Sequence, residues 1–456
     1  MKPYVLLMGL FVAGCAVGSD YQRPEVSLQT RFVGGNAETI EAVAAEQWWL
    51  NYEDATLTRF VTRGLAQSLD VMAAIESIRQ AQAELRKTGI NSALDGSLLG
   101  SVTKSGGDGT GGMSTVNSGE LGASLVIDLF GGIRRERESA IASLTSVRAE
   151  VETVRLAWLA ELLAAYSNAR FYQEVLSLTR TTVSAREETV DITRSQFEAG
   201  AATEYEVAEA QALLSTVRAD LPQYAALFDA NVYAIATLLN EPAGPVMAEM
   251  QKSARQLRTP SGARTGVPAD LLRNRPDVRS AEADLAAAVA DVGVAEAALY
   301  PSLSIAGTVG RIEALNSWSF GPTLTLPILN QGKLRATRDA AVSSAKQYEI
   351  AWRSAVLDAV EDVQVAQSNL SRYRQRVMLL ETAASDYGRA LILAQQNYRA
   401  GAITLLDLLE TDRNTASARI SAASAVNDAA QAWATLKIAT GAGSAAAEQA
   451  LSEKAN

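Results

Sequence analysis

Between Ile133 and Ala199 the chain has neither glycine nor proline, and between Lys333 and Ala400 it has a single glycine, Gly388. In the first run Leu144, Val147, Val151, Val154 and Trp158 alternate spacings of three and four. In the second, Leu370, Tyr373, Val377, Leu380 and Ala384 keep the same alternation. That is the period of helices packed side by side as in a coiled coil. At 1.5 Å per residue each run predicts a helix roughly 100 Å long. No compact globular domain contains such a helix.

The two runs belong to a duplication. Arg79-Gln80-Ala81-Gln82-Ala83-Glu84-Leu85 recurs as Arg279-Ser280-Ala281-Glu282-Ala283-Asp284-Leu285, and Phe197-Glu198-Ala199-Gly200-Ala201-Ala202-Thr203 recurs as Tyr398-Arg399-Ala400-Gly401-Ala402-Ile403-Thr404. A period of about 200 residues is too long for a solenoid unit, so a whole half has been copied. A connector rich in Pro, Gly, Arg and Ser, about Glu241–Pro268, separates the halves and reads as a surface linker. Within each half the order reads helix, two strands, very long helix, tight turn, long helix.

Ahead of each long helix stand two short alternating segments. They are Ser97–Thr103 and Gly119–Ile127 around the loop Ser105–Ser118, and Ser302–Val309 and Ser319–Ile328 around Gly310–Ser317. Leu303, Ile305, Gly307 and Val309 alternate with Ser302, Ser304, Ala306 and Thr308. Strands with one apolar and one small or polar face fit a transmembrane β-barrel. Four strands cannot close a barrel, so several chains must share one. The alternative for the strands alone is a soluble four-stranded sheet. Gly107-Asp108-Gly109-Thr110-Gly111-Gly112 fits a dinucleotide-binding pattern, but it lies between strands and opens no helix, so it reads as a loop.

Composition narrows the chemistry. The chain has no histidine and one cysteine, Cys15, which excludes disulfide scaffolds, Cys-rich zinc modules and imidazole catalysis. No enzymatic activity, metal or cofactor is expected. A formal charge of −10 argues against nucleic acid as a partner. Residues 1–14 read as an export signal: Lys2, then the apolar stretch Val5–Val12, too short to span a bilayer. It ends in Val12-Ala13-Gly14-Cys15, similar to a bacterial lipobox, with Cys15 the residue to be acylated, palmitate included, and Ala16 rather than Asp following it. No later apolar run reaches 18 residues, so any further crossing must be made by strands.

These residues resemble the outer-membrane efflux factors of the TolC and OprM type, in particular the lipoprotein branch. Gly14-Cys15 followed by Asp20-Tyr21-Gln22-Arg23-Pro24 is similar to the start of mature members. Trp48-Trp49 with Asp54, Leu57, Leu65 and Ala66 resembles their first helical segment. Leu271-Leu272-Arg273-Asn274-Arg275-Pro276-Asp277-Val278 resembles a motif of the branch serving resistance–nodulation–division pumps, and Leu299-Tyr300-Pro301-Ser302 the approach to the third strand. The resemblance covers Cys15 to about Gly441.

It implies a mainly α fold with a transmembrane β-barrel: a homotrimer in which four strands per chain close one twelve-stranded barrel in the outer membrane, and the helical hairpins form an α-barrel in the periplasm. The implied divisions are a signal peptide (1–14), a lipidated N-terminal segment (15–56), a first efflux repeat (57–245), a connector (246–267), a second repeat (268–441) and a tail (442–456). The implied function is the exit duct of a tripartite efflux system, whose partners are a periplasmic adaptor, an inner-membrane pump of the resistance–nodulation–division class, and outer-membrane lipid. It would pass small molecules such as drugs, the pump choosing the cargo. Two rivals are weaker. An adaptor lipoprotein has one hairpin and a large β-rich remainder, and a secreted hydrolase needs a paired-carboxylate site where this chain has acids spread along helix faces.

Two groups of residues carry functional expectations. Ala199-Gly200 and Ala400-Gly401 stand where each long helix must turn sharply, and these tips are where an adaptor would dock. Six and nine residues beyond each tip glycine stand acids: Glu206 and Glu209 in the first copy, Asp407 and Glu410 in the second. A separation of three puts both acids of a pair on one helix face. In the resembled family the second-copy acids, with an apolar residue matching Leu406, constrict the periplasmic mouth. Links from Arg399 or Arg413 to these acids would then have to break on opening.

Overall fold

The computed structural model describes residues 16–33, 43–106, 113–262 and 266–445. Cys15 and the Gly107–Gly112 stretch lie outside the described residues. The chain folds as two units, each assembled from separated stretches of sequence. One falls within Met1–Ser27, Ile75–Glu150 and Asp277–Val356, the other within Leu28–Ala74, Val151–Pro276 and Leu357–Asn456.

In chain order the helices are α1 (Ala55–Gln67), α2 (Leu69–Lys87), α3 (Ile90–Ala93), α4 (Gly132–Glu198), α5 (Glu204–Leu238), α6 (Ala243–Met250), α7 (Pro268–Asn274), α8 (Pro276–Ala297), α9 (Gln331–Arg399) and α10 (Leu405–Ala439). The strands are β1 (Leu94–Ser105), β2 (Ser114–Ile127), β3 (Ser302–Ile312) and β4 (Leu315–Thr325). The two long helices have 67 and 69 residues, as the two proline-free runs, the first without glycine and the second with Gly388 alone, lead one to expect. Pro222 sits inside α5 and the helix continues through it.

The first unit holds a single antiparallel sheet in the order β1-β2-β3-β4. The hairpin of the first copy therefore pairs with that of the second through β2 and β3. Register sorts the side chains into two faces. Leu98 stands opposite Leu121, Leu121 opposite Val309, and Val309 opposite Trp318; one step along, Ser97 meets Gly122, Gly122 meets Thr308 and Thr308 meets Ser319. Because alternate residues share a face, one side of the sheet is apolar and the other mainly hydroxyl and glycine. Leu98, Val102, Trp318 and Phe320 on the apolar side are each about three-quarters exposed or more within one chain, a surface that needs a non-aqueous neighbour. Among the described residues neither β1 nor β4 has a second partner strand.

The strands depart from the sequence expectation at their ends. β1 and β2 extend farther into the expected loop Ser105–Ser118, and β3 and β4 almost abolish the loop Gly310–Ser317, because Gly310, Arg311 and Ile312 pair with Ser317, Asn316 and Leu315. Serine, glycine and asparagine had marked a turn; the continuing ladder outweighs their weak strand preference. At the other end β4 stops at Thr325, not Ile328. Its partner strand begins at Ser302, immediately after Pro301, and Pro327 has no N–H to extend pairing.

The second unit is built around aromatic side chains. A 3-10 turn, Trp48–Tyr52, leads to Asp54, whose carboxylate caps α1 by accepting from the N–H groups of Thr56 (2.8 Å) and Leu57 (2.9 Å) and also accepts from the Tyr166 hydroxyl (2.8 Å). Trp48 packs edge-on against Trp49 and Trp433, and Tyr52 against Trp433. The connector is not merely a surface linker. It contains α6, whose Val246 and Met250 are fully buried, and the buried guanidinium of Arg170 donates to the carbonyls of Met250 (3.2 Å) and Lys252 (3.1 Å). Pro242, Gly244 and Pro245 read as a linker, but Val246 and Met250 keep a helical spacing of four.

Gly64 is the tightest point of this core. A Cβ there would lie 2.0 Å from the Trp158 ring, which is buried and held by its indole N–H donating to the Leu238 carbonyl (3.0 Å). Gly64→Ala should therefore cost about 1–3 kcal/mol through overpacking. Thermal unfolding checks it; an unchanged midpoint would show that α1 can shift away from the indole.

Candidate functional site

Both tips expected to carry function lie in the second unit, and the duplication holds there down to individual hydrogen bonds. α4 ends in a left-handed glycine, Gly200 (φ 75°), whose N–H donates to the Phe197 carbonyl while that of Ala201 reaches back to Gln196. α9 ends identically: Gly401 (φ 72°) donates to Tyr398 and Ala402 to Asn397. This paired termination satisfies the last carbonyls of a helix and needs a residue free to take positive φ, which is why glycine stands there. No other atoms crowd the space beside either glycine, so both turns are open to solvent.

The next helix starts at once, and its first acid is used to start it. The Thr203 N–H donates to Glu206 Oε2 (2.7 Å) while the Glu206 N–H donates to Thr203 Oγ1 (3.3 Å). Thr404 and Asp407 repeat the exchange at 3.0 and 3.3 Å. These are reciprocal capping boxes, satisfying N–H groups that a helix start otherwise leaves free. The recurrence of Glu206 and Asp407 at the same offset is therefore accounted for by helix initiation. A threonine followed three residues later by an acid is the signal of such a box in the sequence.

The second acids are placed differently. On α10, Leu405, Leu408 and Leu409 are buried in a cluster with Val190 of α4, Leu214 of α5 and Leu391 of α9. Helical periodicity then turns Leu406, Asp407 and Glu410 outward, and Leu406 is 61% exposed. Those three form one solvent-facing strip. Glu209 on α5 is half-buried, unlike Glu410, so the acids of the two copies are not equivalent.

Within one chain neither expected arginine is linked to these acids. Arg399 pairs with Glu188 of α4 rather than with Asp407 or Glu410, and Arg413 is exposed. Sequence reasoning also missed the most enclosed pair near the tips: Arg186 of α4 donates to Asp412 of α10 (2.7 Å) and to the Leu213 carbonyl of α5 (3.0 Å), both charged side chains being buried. Nearby, the hydroxyls of Thr193 and Tyr398 are 2.9 Å apart. Asp412 follows Glu410 by two residues and so points to the opposite, inward side. Among the described residues no cluster of three His, Cys, Asp or Glu is placed to hold a metal, and no helix is long and apolar enough to cross a membrane.

The capping acids titrate below the ordinary carboxylate range. For Glu206 the main cause is the Thr203 N–H, then its hydroxyl; for Asp407 it is the Thr404 hydroxyl, then its N–H. A lowered folded pKa gives stabilisation that is present above the unfolded value and lost as pH falls through the folded one. Amide exchange in the first turns of α5 and α10, corrected for intrinsic rates, should accordingly rise at acid pH. Thr404→Ala should raise it in α10 already at neutral pH; equal protection in that variant would show that the box does not hold the turn.

Comparison with known proteins agrees with this architecture. The model of the outer membrane efflux protein family matches residues 61–241 and 267–442, one segment per copy. Nodulation protein T of Rhizobium leguminosarum bv. trifolii is 38% identical over 95% of the chain and 96% of its own length. The pyoverdine export outer membrane protein OpmQ of Pseudomonas aeruginosa is 31% identical over 83% of both. Among solved structures the outer-membrane channel OprN superposes with a TM-score of 0.82 at 27% identity, covering 94% of this chain and all of that one. The MtrE outer membrane channel of Neisseria gonorrhoeae, in its open state, gives 0.78 at 26%, covering 94% and 98%. The chain belongs to the outer membrane efflux protein family.

Proposed function

We propose that three copies of this chain form the exit duct of a tripartite efflux system, receiving small molecules from a periplasmic adaptor and an inner-membrane resistance–nodulation–division pump. The observation that carries this reading is a four-stranded sheet with one apolar face and both edges unpaired. Strand edges left open in hydrocarbon cost several kcal/mol per unsatisfied group, so the sheet must be completed by further strands. Three copies supply twelve, with the apolar faces outward and the hydroxyl faces around water. The duct does no chemistry. A wide aqueous passage selects little, so the pump sets the cargo.

In this reading the tips at Ala199-Gly200 and Ala400-Gly401 receive the adaptor, whose contact they favour by being small and uncrowded. Leu406, Asp407 and Glu410, with Glu206 and Glu209, ring the periplasmic mouth. Cys15 carries lipid and adds a second anchor beside the barrel; a single acyl chain holds only marginally at about 0.8 kcal/mol per CH₂, whereas several hold firmly.

Heat-modifiable trimer migration and single-channel recording in planar bilayers test the duct. Asp407→Asn with Glu410→Gln removes both charges while leaving an acceptor for the Thr404 cap. It should raise conductance and weaken block by trivalent cations applied to the mouth. Unchanged conductance and block would leave these acids as surface charge. Mass spectrometry of the mature protein should find Cys15 acylated at its N-terminus, and a free thiol there would remove the lipid anchor.

A further inference from the structure

Four charged residues lie in the strands: Asp95, Lys104, Glu120 and Arg311. Register separates them by sign. Arg311 stands opposite Gly119 and Asn316, and Lys104 opposite Thr115, on the parity of the apolar face. Both are the last residue but one of their strands, so they reach headgroups and water at the edge of that face. Asp95 and Glu120 have the other parity. Glu120 stands opposite Leu99 on β1 and Gly310 on β3, on the face where Ser101 and Ser118 share a hydroxyl hydrogen bond of 2.8 Å and Thr308 and Ser319 another of 2.8 Å. No lysine or arginine of the described strands shares that face.

Space for the carboxylate is built in. A Cβ on Gly310 would come within 3.6 Å of the Glu120 Cβ and 3.3 Å of the Ser317 hydroxyl, so glycine there keeps the surroundings of Glu120 open. The next residue, Leu121, is on the opposite face between Leu98 and Val309. A charged group at this level is inexpensive only on the watered side.

We propose that Glu120 is a selectivity-determining residue of the strand-lined part of the duct, a ring of three carboxylates that favours inorganic and organic cations over anions near the exit. The inference rests on the trimeric duct reading and adds a selectivity element separate from the periplasmic mouth. Asp95, at the opposite end of β1 from the turn, adds a second ring of the same sign.

A twelve-stranded barrel has a radius of about 12 Å at its backbone, which leaves the three carboxylates more than ~10 Å apart. The Debye length is about 8 Å at 0.15 M salt and about 30 Å at 0.01 M. The ring therefore acts as a unit in dilute salt and fades in concentrated salt, which sets the form of the experiment.

Reversal potentials of the full-length trimer in planar bilayers would be measured under KCl gradients at low and high mean concentration. At low salt Glu120→Gln should lower the potassium-to-chloride permeability ratio by at least about twofold, with little change near 1 M. A second measurement fixes the face. In a Cys15→Ser background and in lipid vesicles, Glu120→Cys should react with a charged, membrane-impermeant thiol reagent, whereas Leu121→Cys should not. Conducting trimers whose permeability ratio ignores Glu120→Gln would overturn this inference alone, as would labelling at Leu121 and not at Glu120. No conductance from the parent protein would overturn the duct reading and this inference with it.

Discussion

A strand in hydrocarbon must satisfy the hydrogen-bonding groups on both of its sides, and β1 and β4 each leave one side unused. Most of what is distinctive about the protein depends on that constraint. In the proposed duct it forbids the sheet from standing alone in lipid, so copies must associate to complete it. It also explains why the apolar residues of the sheet are exposed in the single chain instead of being turned toward a core. A soluble sheet with Leu98, Val102, Trp318 and Phe320 in the same positions would need a second layer on that face. In the proposed duct lipid takes that place, and the hydroxyl face lines water.

The helices answer a different problem, the positioning of very long elements that are only weakly amphipathic along much of their length. Apolar packing alone fixes register poorly when Ala is frequent, as on α10, because neighbouring small residues present similar surfaces. Buried polar groups remove that ambiguity, since a shift would leave them unpaired. Asn427 of α10 accepts from Ser167 (2.5 Å) and donates to Asn168 (2.9 Å), and Gln431 donates to the same Asn168 oxygen (2.8 Å), tying α10 to α4. Nearer the tips Arg186 and Asp412 join the same two helices. Such a pair adds little net stability after its desolvation, but losing one partner strands a buried charge. Its effect is to make one alignment of α4 and α10 far better than its neighbours.

The sequence showed some of this and concealed the rest for definable reasons. The long helices were legible to within two residues at each end, because absence of Pro and at most one Gly over more than sixty positions has few other meanings. The duplication, the tip glycines and the existence of four strands were legible for similar reasons. Strand ends were not, since Ser105, Gly310 and Ser317 favour turns in isolation and enter the ladder only because a partner strand is present. The tip acids illustrate a subtler limit. Spacing placed Glu206 and Asp407 correctly at matched offsets, but charge suggested a ring where the Thr-x-x-acid pattern already specified a cap. Which partner Arg399 takes could not be read from one helix, because Glu188 lies 211 residues earlier in the chain.

The two copies diverge where their second helices begin. In the proposed trimer, six helical hairpin ends of one kind, two from each chain, would give a sixfold mouth, every position repeated in both halves. The first turns of α5 and α10 do not permit that equivalence. Glu204 and Tyr205 begin α5, whereas Leu405 and Leu406 hold the corresponding places in α10. Tyr205 and Leu406 are both exposed, yet Glu204 is exposed where Leu405 is buried beneath Leu408 and Leu409. The second hairpin is thus rooted in the cluster it shares with α4 and α5, and the first presents more charge at its own start. Identical capping boxes and glycine turns fix the same geometry at both ends, so what differs is what each turn rests on. In the proposed duct, a mouth that opens by moving one hairpin of each chain needs its two hairpins to be unequal. Two copies bearing one turn geometry on different foundations supply that inequality without any change of fold.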